Sequence, residues 1–406
     1  MNKAFIDFVK VHLNDDTARL LLSAARYPDI DMAAAVQQIE GLHTASVKWP
    51  SLLACDSFLF PPRINREQAS SEAAANYKAA LLSRIPSASF VSHPRIADLT
   101  GGMGIDTLAF AKVAEHVDYV ECNPQLCAVM EHNLQALGVG NVNIHNAESL
   151  DWLASSSHSL DVLYIDPARR SSSGRKVAAF EDCTPDILSM LPILIAAAGC
   201  IMVKASPMID ISQAVAQLGG VNEVHVVAVR GECKEVLFIR GTNPANDPRI
   251  VCVNLRATGT DTDMFSREEE RAASSLPPFA APDNPRYLYD PHAALMKGGC
   301  FALISQRYGV VPVSRGVHLY ASSTLMPEFP GRVFEVVDEL NPSLKEVRRR
   351  LPNGRASVVS RGYPLSADAL RQRLKLKDGN DMLLIATTVG GCHKLFLARN
   401  IKSDIQ

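Results

Sequence analysis

The spacing of apolar residues changes character along the chain. Over residues 1–80, Phe5, Phe8, Val9, His12 and Leu13 recur at helical intervals, and Ala-rich stretches follow around Ala33 and Ala73. This predicts a helical N-terminal region, crossed at Phe58–Asn65 by a loop carrying Pro61 and Pro62, that offers scaffold rather than chemistry. From residue 81 to 241, short apolar runs rich in β-branched residues alternate with helical segments. Strands are expected at Arg95–Thr100, Val117–Cys122, Val142–Ala147, Leu160–Ile165 and Cys200–Ala205. Helices are expected from Ile105, at Pro124–Leu137, near Trp152, at Pro185–Ala198 and at Ile211–Leu218. Strands separated by helices of this length imply a parallel sheet with right-handed crossovers. Two closing strands, Glu223–Val229 and Glu235–Arg240, are joined only by the turn Arg230-Gly231-Glu232, so they pair antiparallel.

Residues 242–282, with the charge run Arg267–Arg271 and the pair Pro277-Pro278, read partly as a linker. A small unit at 283–325 reads strand, helix, strand. The last unit, 330–406, reads β-α-β-α-β-β over Arg332–Leu340, Pro342–Leu351, Ala356–Arg361, Ser366–Leu376, Met382–Val389 and His393–Arg399. The fold class is α/β: a Rossmann-like sheet with antiparallel closing strands, a helical N-terminal region and two small α+β C-terminal units.

With 47% hydrophobic and 21% charged residues, the 406-residue chain is neither disordered, collagenous nor a coiled coil. Met1–Asp15 mixes charge with apolar positions, and the longest apolar run, Ile187–Val203, is broken by Ser189, Pro192, Gly199 and Cys200. Neither a signal peptide nor a membrane span is expected. Nine cysteines without a C-x-x-C, the nearest two being Cys122 and Cys127, point to a reducing, cytoplasmic setting, and eleven histidines without H-E-x-x-H give no metal site. The net charge of −2 conceals an asymmetry: residues 341–406 hold 13 Lys+Arg against 5 Asp+Glu, leaving 28 against 38 in the rest. A basic module on an acidic body suits an anionic polymer. The sequence leaves the oligomeric state open.

The chemistry gathers at the expected strand ends. The first strand runs into Asp98-Leu99-Thr100-Gly101-Gly102-Met103-Gly104, a glycine cluster before a helix, where backbone can approach a ligand closely. About twenty residues on, Glu121-Cys122-Asn123 ends the second strand, where a carboxylate can accept both hydroxyl hydrogens of a ribose. Ala147-Glu148 ends the third and places a carboxylate toward an adenine amino group. The fourth delivers Asp166-Pro167-Ala168-Arg169-Arg170. There the Asp166 side chain and a fixed backbone carbonyl converge as two acceptors, suited to an amine or amide N–H. Arg169, Arg170, Arg175 and Lys176 form a basic loop beside it, a candidate phosphate contact.

At these residues the chain resembles the class I S-adenosylmethionine-dependent methyltransferases, over about Gln68 to Gly241, with the antiparallel closing pair as that family's last strands. The resemblance implies that Asp98 and the loop Thr100, Gly101, Gly102 and Gly104 line the methionine end of S-adenosyl-L-methionine. It also implies that Glu121, with Cys122 beside it, binds the ribose, and that Ala147 and Glu148 meet the adenine. Asp166 and Pro167 stand where the family's acceptor-positioning Asp-Pro-Pro lies, Asp166 at the edge of the cofactor site. Ser70-Ser71-Glu72-Ala73 and Asn76-Tyr77-Lys78 are similar to a bacterial subfamily with ferredoxin-like and THUMP-like C-terminal domains, THUMP being an RNA-binding module. Two departures stand out: Thr100 replaces the loop's first glycine, and Ala168 a second proline. Asp-Pro-Ala-Arg lies close to the Asp-Pro-Pro-Arg of RNA uridine C5 methyltransferases, but the nucleophilic cysteine those enzymes carry is replaced in Val203-Lys204-Ala205-Ser206-Pro207 by Ser206, which is far less ionised near neutral pH.

The expected function is methylation of ribosomal or transfer RNA at a base nitrogen, with Asp166 and Pro167 catalytic. Lys204, Ser206, Arg169 and Arg170 are expected near the substrate, and Arg348, Arg349, Arg371 and Arg373 on phosphate. A methyltransferase for a protein or small molecule, a non-catalytic RNA-binding protein and, with a poorer fit to the closing strands, a nicotinamide-dependent dehydrogenase are the alternatives.

Overall fold

A computed structural model describes residues 2–82, 84, 93–155, 160–169, 180, 183–243, 245–275, 282, 284–379 and 381–402, with Arg169 and Lys402 described by backbone alone. Two compact units form the chain: Met1–Val221 with Leu237–Pro244, and Asn222–Val236 with Ala245–Gln406. Among the described residues no helix is long and apolar enough to cross a membrane.

The first unit begins with helices at Lys3–Val11, Thr17–Leu22 and Met32–Lys48. Each starts where Asn2, Asp16 or Asp31 accepts a backbone N–H from its first turn, satisfying a donor that the helix cannot. Val9, Leu20, Met32, Ala35, Val36 and Ile39 form their shared core, against which Phe5, Phe8 and Leu13 pack, as the helical spacing required. The expected Phe58–Asn65 loop is anchored by buried Phe58 and Phe60 and passes into a helix at Arg63–Gln68. The buried Trp49 donates through Nε1 to the Ser70 carbonyl at 2.7 Å, fixing the start of the helix Glu72–Leu82.

Seven strands follow: β1 (Arg95–Asp98), β2 (His116–Glu121), β3 (Val142–Asn146), β4 (Leu160–Ile165), the short β5 (Ala168–Arg169) and β6 (Cys183–Thr184), and β7 (Ala198–Ala205). β5 and β6 pair antiparallel with each other. The others run parallel in the order β7-β4-β1-β2-β3, so the order reverses between β4 and β2 on either side of β1. Their central residues, among them Ile96, Val117, Tyr119, Val162, Leu163, Met202 and Val203, are buried, because helices cover both faces of such a sheet.

In the second unit, β8 (Glu223–Val229) turns through Arg230 and Gly231, with φ of +52° and +79°, into β9 (Glu232–Arg240). A two-residue turn with both φ positive matches strand twist and gives the expected antiparallel closing pair. The last residues of β9, from Leu237, belong to the first unit. The linker expected at 242–282 is instead largely folded: β10 (Arg249–Arg256) pairs parallel with β8, β11 (Gly259–Phe265) pairs antiparallel with β10, and a capping box at Ser266 and Glu269 starts the helix Arg267–Ser274. Most of that stretch therefore has backbone partners.

The two small C-terminal units meet in one seven-stranded sheet. Its strands are β12 (Tyr287–Pro291), β13 (Val311–Ser314), β14 (Val317–Ser322), β15 (Gly331–Leu340), β16 (Ser357–Arg361), β17 (Leu383–Val389) and β18 (Cys392–Lys402), in the order β13-β14-β12-β15-β18-β17-β16. The earlier part holds two helices, Ala293–Gly298 and Ala302–Tyr308, rather than the single one its sequence pattern predicts. Along β17, Leu383 and Ile385 enter one core with Leu288, Leu319 and Phe334, while Leu384 and Ala386 enter another with Val347, Leu370 and Leu374. The period of two thus buries both faces. The helices Leu344–Arg350 and Ala367–Arg373 supply the second core.

Candidate active site

The sheet register brings the expected residues to one edge. Asp98 lies opposite both Tyr119 and Tyr164, Glu121 opposite Asn146, and Ile165 opposite Val203. Asp98, Glu121, Ala147, Glu148, Asp166 and Lys204 therefore all stand at the carboxyl ends of parallel strands, flanking the position where strand order reverses. That crevice is where open α/β sheets bind ligands.

The glycines answer to steric demands. A Cβ on Gly101 would lie 2.2 Å from the Tyr119 ring, and one on Gly104, which has φ +80°, would lie 2.4 Å from Met130 Sδ. Tyr119 then donates its hydroxyl to the Gly102 carbonyl at 2.7 Å. Thr100 has its own task, its Oγ1 accepting the Asp166 N–H at 2.7 Å and so joining the loop to the tip of β4. Asp98 is buried, accepting the Thr107 hydroxyl at 2.6 Å and the Thr100 N–H at 3.1 Å. Burial pushes its carboxyl up to about 7 despite those two bonds, and the charges of Asp106 and Asp166 push the same way.

Glu121 accepts one backbone N–H on each oxygen, Gly102 at 2.9 Å on Oε2 and Asn123 at 2.8 Å on Oε1. Oε1 also takes the Cys122 thiol at 3.5 Å, a weak donor that a hydroxyl can displace, so the two oxygens form an acceptor pair that fits the vicinal diol of a ribose. Ala147 N–H donates to the Glu121 carbonyl at 3.2 Å, and Glu148 is exposed at the start of the helix Ser149–Ser155. The Cys122 thiol, beside these carboxylates, is pushed up to about 11 by burial and by the charges of Glu121 and Glu148. It stays protonated near neutral pH and makes a poor nucleophile.

Asp166 carries a partner that its sequence position did not announce. Its Oδ2 is ion-paired with Lys204 Nζ, from the end of the adjacent β7, and Pro167 behind it is buried. Ser206, two residues on from Lys204, accepts the Met208 N–H with its Oγ in a local turn. A second pair lies one strand over. Lys78, fully buried on the helix Glu72–Leu82, places Nζ 3.1 Å from Asp106 Oδ1 and donates to Ser70 Oγ at 2.9 Å. Ser70 and the Tyr164 hydroxyl both donate to Asp106 Oδ2, at 2.8 and 2.9 Å. Burial works against the Asp106 charge, yet Lys78 and Lys204 and these two hydrogen bonds hold it below the usual carboxylate range. The N-terminal region, expected as scaffold, thus supplies two members of the site. The cue in the sequence is a lysine inside an Ala-rich helix, where nothing but an anion could compensate its burial.

Of the expected phosphate contacts, Arg371 is bound to Asp368 and Asp378, and Arg349 lies 4.0 Å from Glu346. Arg350 pairs with Asp338. Arg348 and Arg373 are exposed and, among the described residues, make no ion pair. Arg170, Arg175 and Lys176 lie outside the described residues, and of Arg169 only the backbone, in β5, is described.

Comparison with known proteins adds two family-model matches and two relatives. Residues 331–400 match the family model of a THUMP domain-like module, and residues 287–330 that of a ferredoxin-like domain. A crystal structure described as a "putative methyltransferase" from Porphyromonas gingivalis W83 is 32% identical, covers 98% of this chain and 98% of its own, and superposes with a TM-score of 0.83. An uncharacterized S-adenosylmethionine-dependent methyltransferase of Mycobacterium tuberculosis, present in strains CDC 1551 and H37Rv, is 26% identical over 300 residues, 73% of this chain and 77% of the relative.

Proposed function

Because this chain belongs to the S-adenosylmethionine-dependent methyltransferases, we propose that its acceptor is RNA, ribosomal or transfer, bound through the basic end of the second unit. The cofactor is S-adenosyl-L-methionine. In this reading Asp98 and Thr100–Gly104 hold its methionine end, Glu121 its ribose, and Ala147 and Glu148 its adenine. Asp166, tied through its N–H to Thr100, holds the acceptor beside them.

The observation that supports RNA is the THUMP-like match over the segment with the cationic surplus, in which Arg348 and Arg373 are exposed and carry no counter-charge among the described residues. Several neighbouring arginines are neutralised within the unit, so fewer cations are available to phosphate than the sequence count suggests. Phosphate contacts of this kind give affinity without sequence choice. The test is a filter-binding salt titration on single-stranded RNA. Arg348→Ala/Arg373→Ala should weaken binding at low salt and flatten the log–log slope by about 1.4, since each lost phosphate contact removes about 0.7. Superimposable curves for the wild type and the double variant would remove the RNA reading of this surface.

The cofactor assignment has its own check. Glu121→Ala removes two charge-assisted hydrogen bonds, worth about 1.5–3 kcal/mol each before water compensates, so affinity should fall about tenfold or more. Calorimetry with an unchanged dissociation constant would place the ribose elsewhere.

A further inference from the structure

The Asp166–Lys204 pair bears on which atom of the RNA accepts the methyl group. The sequence favours a base nitrogen, because Asp166 and the Pro167 carbonyl could act as two acceptors for an amine. In the structure that carboxylate is already held by an ammonium. The Lys204 side chain is 12% exposed and that of Asp166 33%, so the cation is largely withdrawn from water while the carboxylate still faces it. Lys204 also acts on Asp106, which is ion-paired with Lys78. Two cations therefore stand against Asp106 and Asp166, and Asp98 holds its proton up to about pH 7. These three carboxyl groups leave the acceptor side of the site with no surplus of negative charge.

A nitrogen acceptor builds positive charge as it attacks and loses its proton afterwards. A fixed ammonium at the acceptor carboxylate raises the energy of that charge and takes up Oδ2, leaving Oδ1 alone to face the acceptor. A hydroxyl has the opposite need. Its oxygen must shed a proton as the new bond forms, and the partial negative charge it acquires is stabilised by an ammonium already in place. We propose that the acceptor is a ribose 2′-hydroxyl, with Asp166 taking its proton and the Lys204 ammonium facing its oxygen. This rests on the RNA reading above, because the 2′-hydroxyl is the one hydroxyl of an internal nucleotide. S-adenosylmethionine supplies an electrophilic methyl carbon, which bonds to the oxygen lone pair as its bond to sulfur breaks with the electrons left on sulfur. The hydroxyl proton passes to an Asp166 carboxylate oxygen and from there to water, which that side chain reaches. Lys204 keeps its charge throughout.

The experiment uses the full-length protein, methyl-labelled donor and total RNA from cells lacking the gene. After digestion, label is expected in ribose-methylated nucleosides and, after alkaline hydrolysis, in dinucleotides, because a 2′-O-methyl group blocks cleavage of the adjacent phosphodiester. Label on a base overturns the hydroxyl acceptor and leaves the RNA reading standing. Label in protein or small molecules with none in RNA overturns both. Lys204→Met should lower incorporation about 100-fold or more while calorimetric affinity for the donor stays within about threefold. A variant as active as the wild type would overturn the role of Lys204, and if Lys204→Met does not fold, the position of the label in the wild-type product decides.

Discussion

Lys78→Met is expected to cost the fold about 3–5 kcal/mol at neutral pH, among the largest effects of any single substitution in the first unit. The lysine is fully buried and its anion, Asp106, is nearly so. Removing Lys78 takes away the larger of the two cations that support the Asp106 charge, in a medium that solvates it poorly. The loss should depend on pH in a definite sense. Asp106 is held below the usual carboxylate range, so its contribution to stability is present above the unfolded value near 4 and fades as pH falls through that region. In Lys78→Met the carboxyl has lost that support and is readily protonated, so the deficit should shrink on the acid side. Urea unfolding at about pH 7.5 and about pH 3, above and below that change, measures both arms. The double variant Lys78→Met/Asp106→Asn should recover much of the loss, because it removes the stranded charge and lets Ser70 and Tyr164 keep an acceptor. A single variant as stable as the wild type would show that the pair is not carrying its share of the fold.

Asp98→Asn is expected to act in the opposite direction. Burial raises the Asp98 carboxyl to about 7, above its unfolded value of about 4. The folded state therefore holds this proton to higher pH than the unfolded chain does, and the group costs stability progressively as pH rises from about 4 to about 7. Above that range the cost is constant. Asparagine carries no charge to bury, and the Thr107 hydroxyl can turn to accept from its amide while the Thr100 N–H still finds an oxygen. The variant should gain on the order of a few kcal/mol at about pH 8 and little at about pH 4, since each tenfold difference in proton affinity between the folded and unfolded chain is about 1.4 kcal/mol. The same substitution should weaken binding of S-adenosylmethionine about tenfold at about pH 8, where Asp98 is ionised and the methionine ammonium loses its anion. Thermal melts with and without donor test the pair of effects together, and a variant less stable than the wild type on the alkaline side would remove the first.

What could be read from sequence follows from locality. β1, β2, β4 and β7 stood out because strands buried on both faces need continuous apolar runs, the half-exposed edge strand β3 because Val142 and Ile144 alternate with polar residues, and the helix Pro124–Leu137 because Asn123, Pro124 and Gly138 mark its ends. The strand-end carboxylates were legible because a parallel sheet fixes which end of each strand faces a ligand. β11 was not, since Gly-Thr-Asp-Thr-Asp keeps most side chains in water and is poor in the residues that strands favour. Nor were the pairings of Lys78 with Asp106 and of Lys204 with Asp166, which join residues distant in the chain that meet only in the folded sheet. The cationic surplus of the terminus was countable, but which charges it spends internally is a property of geometry.

Asp290 gives the second unit a character its two family matches do not convey. Its carboxylate is 2% exposed and is gripped by Arg361 at 2.9 and 3.0 Å and by Arg332. The anion comes from the ferredoxin-like segment and both cations from the THUMP-like one, and β12 pairs with β15 along its whole length. Neither segment can be cut away without stranding a charge and baring a strand edge in the other. Two segments matched by separate family models therefore form a single unit of cooperativity, and a chain cut between residues 330 and 331 should leave neither half folded.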